Sequence, residues 1–171
     1  PKRASLWKPV YESAAVPVDL FEPLEEEGMS IQNADGKEFR LSRSVQFSAG
    51  DSDEWQEPGF DDTHWDTVPI PSPWEKYEGL ENYDGYGWYR LKFHLPSDWN
   101  PSDLVFYLGR VDDCDETYLN GRMIGSTGTM PPNYQTAWNL FRAYRIPKEI
   151  VSWKGQNALA VRVYDGGGPG G

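Results

Sequence analysis

Fourteen prolines and seventeen glycines are spread along 171 residues rather than pooled, and this punctuation limits the fold more than any other feature. Pro breaks helix interiors and central strands, and Gly weakens both. The chain is therefore cut into short segments joined by turns, which is the pattern of an all-β fold. Helical signal is confined to Pro147–Trp153, one turn that Pro opens and Gly155 stops.

The strands read by period two. In Tyr89–Leu95, Tyr89, Leu91, Phe93 and Leu95 share one face and Arg90, Lys92 and His94 the other. That predicts a half-buried strand ending at Pro96. Leu104–Gly109 is apolar on both faces, as in a strand covered on both sides. Glu116–Leu119, Asn120-Gly121 and Arg122–Gly125 spell a hairpin, because Asn-Gly accepts the positive φ angles of a type I′ turn. Arg142–Ile146 and Ala158–Tyr164 supply two more strands, the latter with Leu159, Val161 and Val163 inward, and Phe39–Phe47 supplies one or two. The spacing predicts an all-β, mainly antiparallel β-sandwich or jelly roll over residues 37–171. Residues 1–36, with Pro9, Pro17, Pro23 and the acidic run Glu25-Glu26-Glu27, read as an extended lead-in or linker, strapped over the sandwich by Trp7, Tyr11 and Phe21.

Charge and ring content narrow the function classes. Sixteen Lys and Arg against 27 Asp and Glu leave a net charge of −11, which repels phosphate backbones and anionic lipid; no nucleic-acid partner and no membrane insertion are expected. No stretch approaches the ~18 apolar residues of a membrane span, and the start Pro1-Lys2-Arg3 carries no secretory segment. The missing initiator Met and the Gly-rich end are those expected of a piece of a longer protein. Cys114 is the single cysteine, which excludes an intramolecular disulfide and a Cys-rich metal site. Eight Trp and ten Tyr in so polar a chain call for an explanation. Trp55, Trp65, Trp88 and Tyr118 fall in segments that build the sandwich, whereas other rings lie in long loops.

Four segments in order carry a family likeness: Trp55-Gln56-Glu57-Pro58-Gly59-Phe60-Asp61-Asp62-Thr63-His64-Trp65 with Val68–Trp74; Gly85–Phe93; Asp112–Gly125; and Asn157–Val163. Together, over about residues 39–165, they resemble the N-terminal sugar-binding domain of glycoside hydrolase family 2 enzymes, a galactose-binding-like jelly-roll β-sandwich. Sialate O-acetylesterase-like proteins and some bacterial sensor ectodomains share this domain type. The resemblance implies an accessory module in an extracellular or periplasmic carbohydrate-active protein, since the family's catalytic carboxylates lie in a separate barrel. It also implies a carbohydrate, or the adjacent catalytic domain, as partner. The alternative is a ligand- or protein-recognising ectodomain of a bacterial sensor. In the family a further strand follows the Gly-rich loop after Ala158–Tyr164, whereas here the chain stops within that loop. Either a closing strand lies outside this chain, leaving an exposed edge, or the lead-in replaces it.

Sugar sites combine rings that stack on a pyranose face with polar groups that bond its hydroxyls. The loops 74–88 and 130–142 have that composition, and Trp74, Tyr77, Tyr83, Asp84, Tyr86, Asn133, Tyr134, Trp138 and Arg142 are the candidate ligand-binding residues. The competing reading is that these rings plug the ends of the core. Asp112, Asp113 and Asp115 are candidate metal ligands, because hard cations take carboxylate oxygens and galactose-binding-like modules often carry structural calcium; Asp51, Asp53, Asp61 and Asp62 form a second acidic stretch. Against calcium stands a turn capped by Asp side chains beside Arg110 or Arg122. No catalytic residue is assigned: no G-x-S-x-G, H-E-x-x-H or Walker motif occurs, and the literal G-x-G-x-x-G at Gly166–Gly171 has no helix after it.

Overall fold

The computed structural model describes residues 28–171, and these form a two-layer antiparallel β-sandwich. The strands are β1 (Ser30–Gln32), β2 (Glu38–Arg40), β3 (Ser44–Ala49), β4 (Asp66–Pro69), β5 (Gly85–Phe93), β6 (Leu104–Gly109), β7 (Cys114–Leu119), β8 (Arg122–Thr127), β9 (Arg142–Ile146) and β10 (Asn157–Asp165). One sheet has the order β2-β1-β6-β9 and the other β4-β3-β5-β10-β7-β8. Three short 3₁₀ turns, at Asp53–Gln56, Trp74–Lys76 and Lys148–Ile150, are the only helical elements among the described residues.

The Asn-Gly hairpin forms as expected: Asn120 has φ 51° and Gly121 φ 77°, both on the left-handed side that a type I′ turn requires. The turn is also anchored at its flank. Asn120 donates from Nδ2 to the Ile150 carbonyl (2.8 Å) and to Asn157 Oδ1 (2.9 Å), and accepts the Ala158 N–H at Oδ1 (2.8 Å).

Between the layers lies the main core. Ile31, Leu104, Phe106 and Ile146 contribute from the smaller sheet, and Val45, Phe47, Leu159, Val161 and Val163 from the larger. The outer face of the larger sheet is not solvated. The loop before β4 folds over it, so Trp55 and Phe60 pack on Trp65, Trp88, Tyr118 and Ala160; Trp55 and Trp65 meet edge to face at 4.9 Å. The four rings assigned to the sandwich by sequence therefore form a second, outer cluster.

That cover reverses one expectation. Arg90, placed on a polar face by period two, is 1% exposed. Its Nε donates to Asp62 Oδ2 at 2.8 Å, and its remaining N–H groups donate to the Trp55 and Glu57 carbonyls. Lys92 holds the other Asp62 oxygen at 2.8 Å. Burial pushes the Asp62 carboxyl up, but the bonds from Lys92 and Arg90 outweigh it and hold the group below the usual range. Asp51 is likewise engaged, by Trp88 Nε1 (3.0 Å) and Arg162 Nε (2.8 Å). Asp62 and Asp51, from the second acidic stretch, thus serve as ion-pair partners.

The domain starts earlier than residue 37. β1 lies inside the stretch read as lead-in, and it pairs with both β2 and β6, with Ile31 opposite Phe39 and Phe106. Ile31 is 1% exposed, so the segment is core. The expected strap of Trp7, Tyr11 and Phe21 lies outside the described residues. β1 stops pairing with β6 at Ser30, opposite Tyr107, while β6 and β9 run on to Gly109 and Arg142. A cleft of about 750 Å³ opens there, lined by Gly28 and Met29, by Leu108–Asp112, and by Val45, Leu91, Val161 and Val163 of the larger sheet. Residues 166–171 fold back beside it: Asp112 and Gly171 exchange two backbone hydrogen bonds of 3.1 Å, and the Trp74 N–H donates to the Gly170 carbonyl at 2.9 Å.

Candidate functional site

The antiparallel order β5-β10-β7 brings four connections to one end of the larger sheet. Gly85 opens β5 opposite Asp165, which closes β10, and Tyr164 faces Cys114 at the start of β7. The loops leading into β5 and β7 and those leaving β8 and β10 therefore converge.

Asp113 is the hub. Its carboxylate accepts hydrogen bonds from the Tyr134 and Thr136 hydroxyls and, at 2.9 Å, from the Gly166 N–H. Its carbonyl accepts from the Ala137 N–H (2.8 Å) and from Arg142 Nη2 (3.1 Å). Burial pushes the Asp113 carboxyl up, and the Thr136, Tyr134 and Gly166 bonds more than reverse that, leaving it below the usual range. Its neighbour behaves oppositely: burial, a hydrogen bond to Asp113 and the Asp113 charge push Asp112 up to about 6. Asp165 is also raised to about 6, by burial first and then by the Asp113, Asp84 and Glu75 charges against a Gly167 N–H bond. Asp165 is fully buried, and its Oδ2 has no hydrogen-bond partner.

Rings wall this acidic group. Tyr164 lies 4.8 Å from Tyr86 and 5.3 Å from Tyr134, centroid to centroid, and the Arg162 guanidinium sits 4.6 Å over Tyr86. Beyond them the loop 134–141 presents Tyr134, Trp138, Leu140 and Phe141, between 39% and 58% exposed. The arrangement offers ring faces beside carboxyls that change protonation near pH 6. Burial and the Asp113 and Asp115 charges push the Cys114 thiol up to about 11, so it is not a thiolate nucleophile at neutral pH.

Of the residues expected to bind a ligand, the structure gathers Tyr86, Tyr134 and Trp138 at this end and leaves Asp84 and Asn133 exposed in its loops. Four others take different roles. Trp74 is fully buried, packs 6.1 Å from Phe47, and donates Nε1 to the Tyr83 carbonyl; it is a core plug. Tyr77 donates to the Pro69 and Ser72 carbonyls and Tyr83 to the Tyr86 carbonyl, so both hydroxyls pin their own loop. Arg142 is 1% exposed and binds Asp115 at 3.0 Å, which makes it a strut beneath the site.

The trio Asp112, Asp113 and Asp115 does not converge as metal ligands. Asp115 points into the sandwich, where Arg142, Tyr144 and Thr117 donate to it, while Asp113 is held by Tyr134 and Thr136. Among the described residues no group of three His, Cys, Asp or Glu side chains is placed to hold a metal ion. Asp165 and Thr136 were missed in the sequence. A carboxylate at a strand end before a run of glycines was the available signal for Asp165.

Residues 50–168 match the family model of the beta-galactosidase second all-beta domain. The chain belongs to that family. No curated protein matches it. Several solved structures share the fold of this beta-galactosidase-type domain. Bacteroides uniformis beta-glucuronidase is 23% identical with a TM-score of 0.61, over 81% of this chain and 15% of that one. An uncultured Clostridium sp. beta-glucuronidase is 22% identical with a TM-score of 0.60, over 84% and 24%. Lactobacillus rhamnosus beta-glucuronidase is 19% identical with a TM-score of 0.59, over 84% and 22%. The chain thus spans less than a quarter of the length of these proteins. No helix among the described residues is long and apolar enough to cross a membrane.

Proposed function

We propose that this β-sandwich is a noncatalytic accessory module of a larger extracellular or periplasmic glycoside hydrolase-like protein, comparable to the N-terminal sugar-binding domain of family 2 enzymes, and that it contacts glycan through one end of its larger sheet. The observation that carries the reading is the exposed pair Tyr134 and Trp138 on the loop that the Tyr134 and Thr136 hydroxyls anchor to the Asp113 carboxylate. Rings supply the stacking face for a pyranose, and Asp84 and Asn133 supply hydroxyl partners at the rim. Such a shallow, partly wet contact gives weak binding, because little of the ligand is enclosed. Leu140 and Phe141, about half exposed next to Trp138, favour a second use of the same loop, in which it packs against a neighbouring catalytic domain.

Titration of the 171-residue chain with galactosides, glucuronides, mannosides and pectic fragments, followed by Trp fluorescence, tests the glycan reading. Saturable quenching that Trp138→Ala removes supports it. Flat titrations across the panel leave only the packing role.

A further inference from the structure

We propose that the glycan site at this end of the larger sheet selects sugars with a free amine, a glucosamine or galactosamine unit whose ammonium seats beside the ring of Tyr134; this rests on the glycan reading above. The reasoning starts from three rings. Tyr164 joins Tyr86, 4.8 Å away, to Tyr134, 5.3 Å away. One end of this group already holds a cation: the Arg162 guanidinium sits 4.6 Å over Tyr86, and the Asp51 and Glu116 carboxylates match its charge. Ring faces attract cations through their quadrupole, and they do so for a ligand ammonium as for Arg. At the other end Tyr134 is 39% exposed, with carboxyls beside it and no protein cation to answer them.

Those carboxyls are Asp113, Asp165 and Asp84. Asp113 takes the Tyr134 hydroxyl and is kept charged by neutral donors only, the Thr136 and Tyr134 hydroxyls and the Gly166 N–H. Asp165 is fully buried and its Oδ2 has no partner; burial raises it to about 6, so it is ionised at neutral pH. Asp84, whose charge reaches Asp165, is exposed at the rim. Among the described residues none of the three forms an ion pair. Arg142, whose Nη2 reaches the Asp113 carbonyl, is already paired with Asp115. The carboxyls are not placed to hold a metal ion. A cation that is part of a larger ligand, held by a ring face as well as by charge, suits them instead. Specificity follows: a uronic acid or sulfated sugar brings like charge to this end, a neutral sugar leaves the charge unanswered, and a hexosamine answers it.

An NMR titration of the ¹⁵N-labelled 171-residue chain, at low salt and neutral pH, is the test. The probes are the methyl glycosides of glucosamine, N-acetylglucosamine, glucose and glucuronic acid, with Nα-acetyl-lysine amide as an amine that is not a sugar. The glucosaminide should bind about fivefold or more tighter than the glucoside and the N-acetylated glycoside, the factor that one exposed cation–π contact and one exposed charge contact supply together. It should shift the Thr136 and Gly166 amides, the glucuronide should bind weakest, and the advantage should shrink in high salt. Asp84→Asn should narrow the glucosaminide-to-glucoside ratio about twofold or more, and Tyr134→Leu should narrow it further where a melt shows the variant folded. Equal binding of glucosaminide and glucoside overturns the inference and leaves the glycan reading standing, whereas no binding by any glycoside removes both. A lysine amide that binds as tightly as the glucosaminide overturns it in favour of a protein lysine. A ratio that Asp84→Asn leaves unchanged overturns it as general attraction to a chain of net charge −11.

Discussion

Arg142→Met removes the strut under the candidate site while keeping its length and most of its apolar stem. In the parent chain the guanidinium and the Asp115 carboxylate are both wholly buried, at 3.0 Å, and the remaining Arg142 donors reach the Leu140 and Asp113 carbonyls. Losing one partner of such a pair leaves an uncompensated charge in the interior, at a cost of roughly 3–5 kcal/mol. In a domain of this size that lowers the melting temperature by about 6–20 °C, from ~2–4 °C per kcal/mol. Tyr144 and Thr117 still donate to Asp115 in the variant, which favours the lower half of that interval. Adding Asp115→Asn removes the stranded charge but keeps an acceptor for those hydroxyls. The double variant should therefore recover about 2 kcal/mol, within the range for residues in one network. Thermal melts and urea midpoints on parent, both single variants and the double variant give the cycle. A cost below about 1 kcal/mol for Arg142→Met, or a double variant that loses the sum of the two singles, would refute the reasoning from a stranded charge.

Four further outcomes follow from the geometry. The folded-state pKa of Asp165 is raised to about 6 from an unfolded value near ~3.9, so its contribution to stability is full below pH 4 and is lost as pH rises through 6. Asp165→Asn should hence gain on the parent between pH 4 and pH 7 in urea midpoints, and a pH-independent difference contradicts the raised carboxyl. At Gly87 a Cβ would stand 2.5 Å from Trp74 and 2.9 Å from Phe47, so Gly87→Ala should cost roughly 1–3 kcal/mol by overpacking, read as a drop in urea midpoint. Trp74→Ala should cost roughly 3–5 kcal/mol yet leave any glycan quenching of Trp138 in place where the variant stays folded. Cys114 is buried and its thiol lies at about 11, so Ellman's reagent should react with it at pH 8 only once denaturant unfolds the chain.

Local chemistry made the Asn120-Gly121 hairpin and the strands around Leu91, Phe106 and Val161 readable, because each carries its own turn residue, alternation or short unbroken apolar run. β1 and β4 were not readable: Ser30–Gln32 is too short to show a period, and Asp66–Pro69 contains one apolar side chain beside a proline. Arg90 was misassigned for a different reason. Alternation says which residues share a face but not what covers it, and the cover here comes from Trp55 and Phe60, about thirty residues upstream. The site shows the same division. Trp74 and Trp138 sit in loops of similar composition, yet one meets Phe47 and the Gly170 backbone while the other is 58% exposed. Only contacts distant in sequence separate a plug from a presented ring. Arg142 and Asp115 were read as ligand groups because charge in a sequence does not reveal its partner.

The place of β10 in the larger sheet carries a consequence for how the protein is made. β10 is the last of the described strands in sequence, yet it lies between β5 and β7. Until it emerges from the ribosome, β3, β4 and β5 on one side and β7 and β8 on the other are two ribbons with nothing between them. Each has an unpaired inner edge of the kind that invites wrong partners. Translation therefore delivers most of the larger sheet as separate halves, which one late strand joins. The nascent chain is most exposed to aggregation just before β10 is made, and a pause over the codons for Asn157–Asp165 would prolong that state.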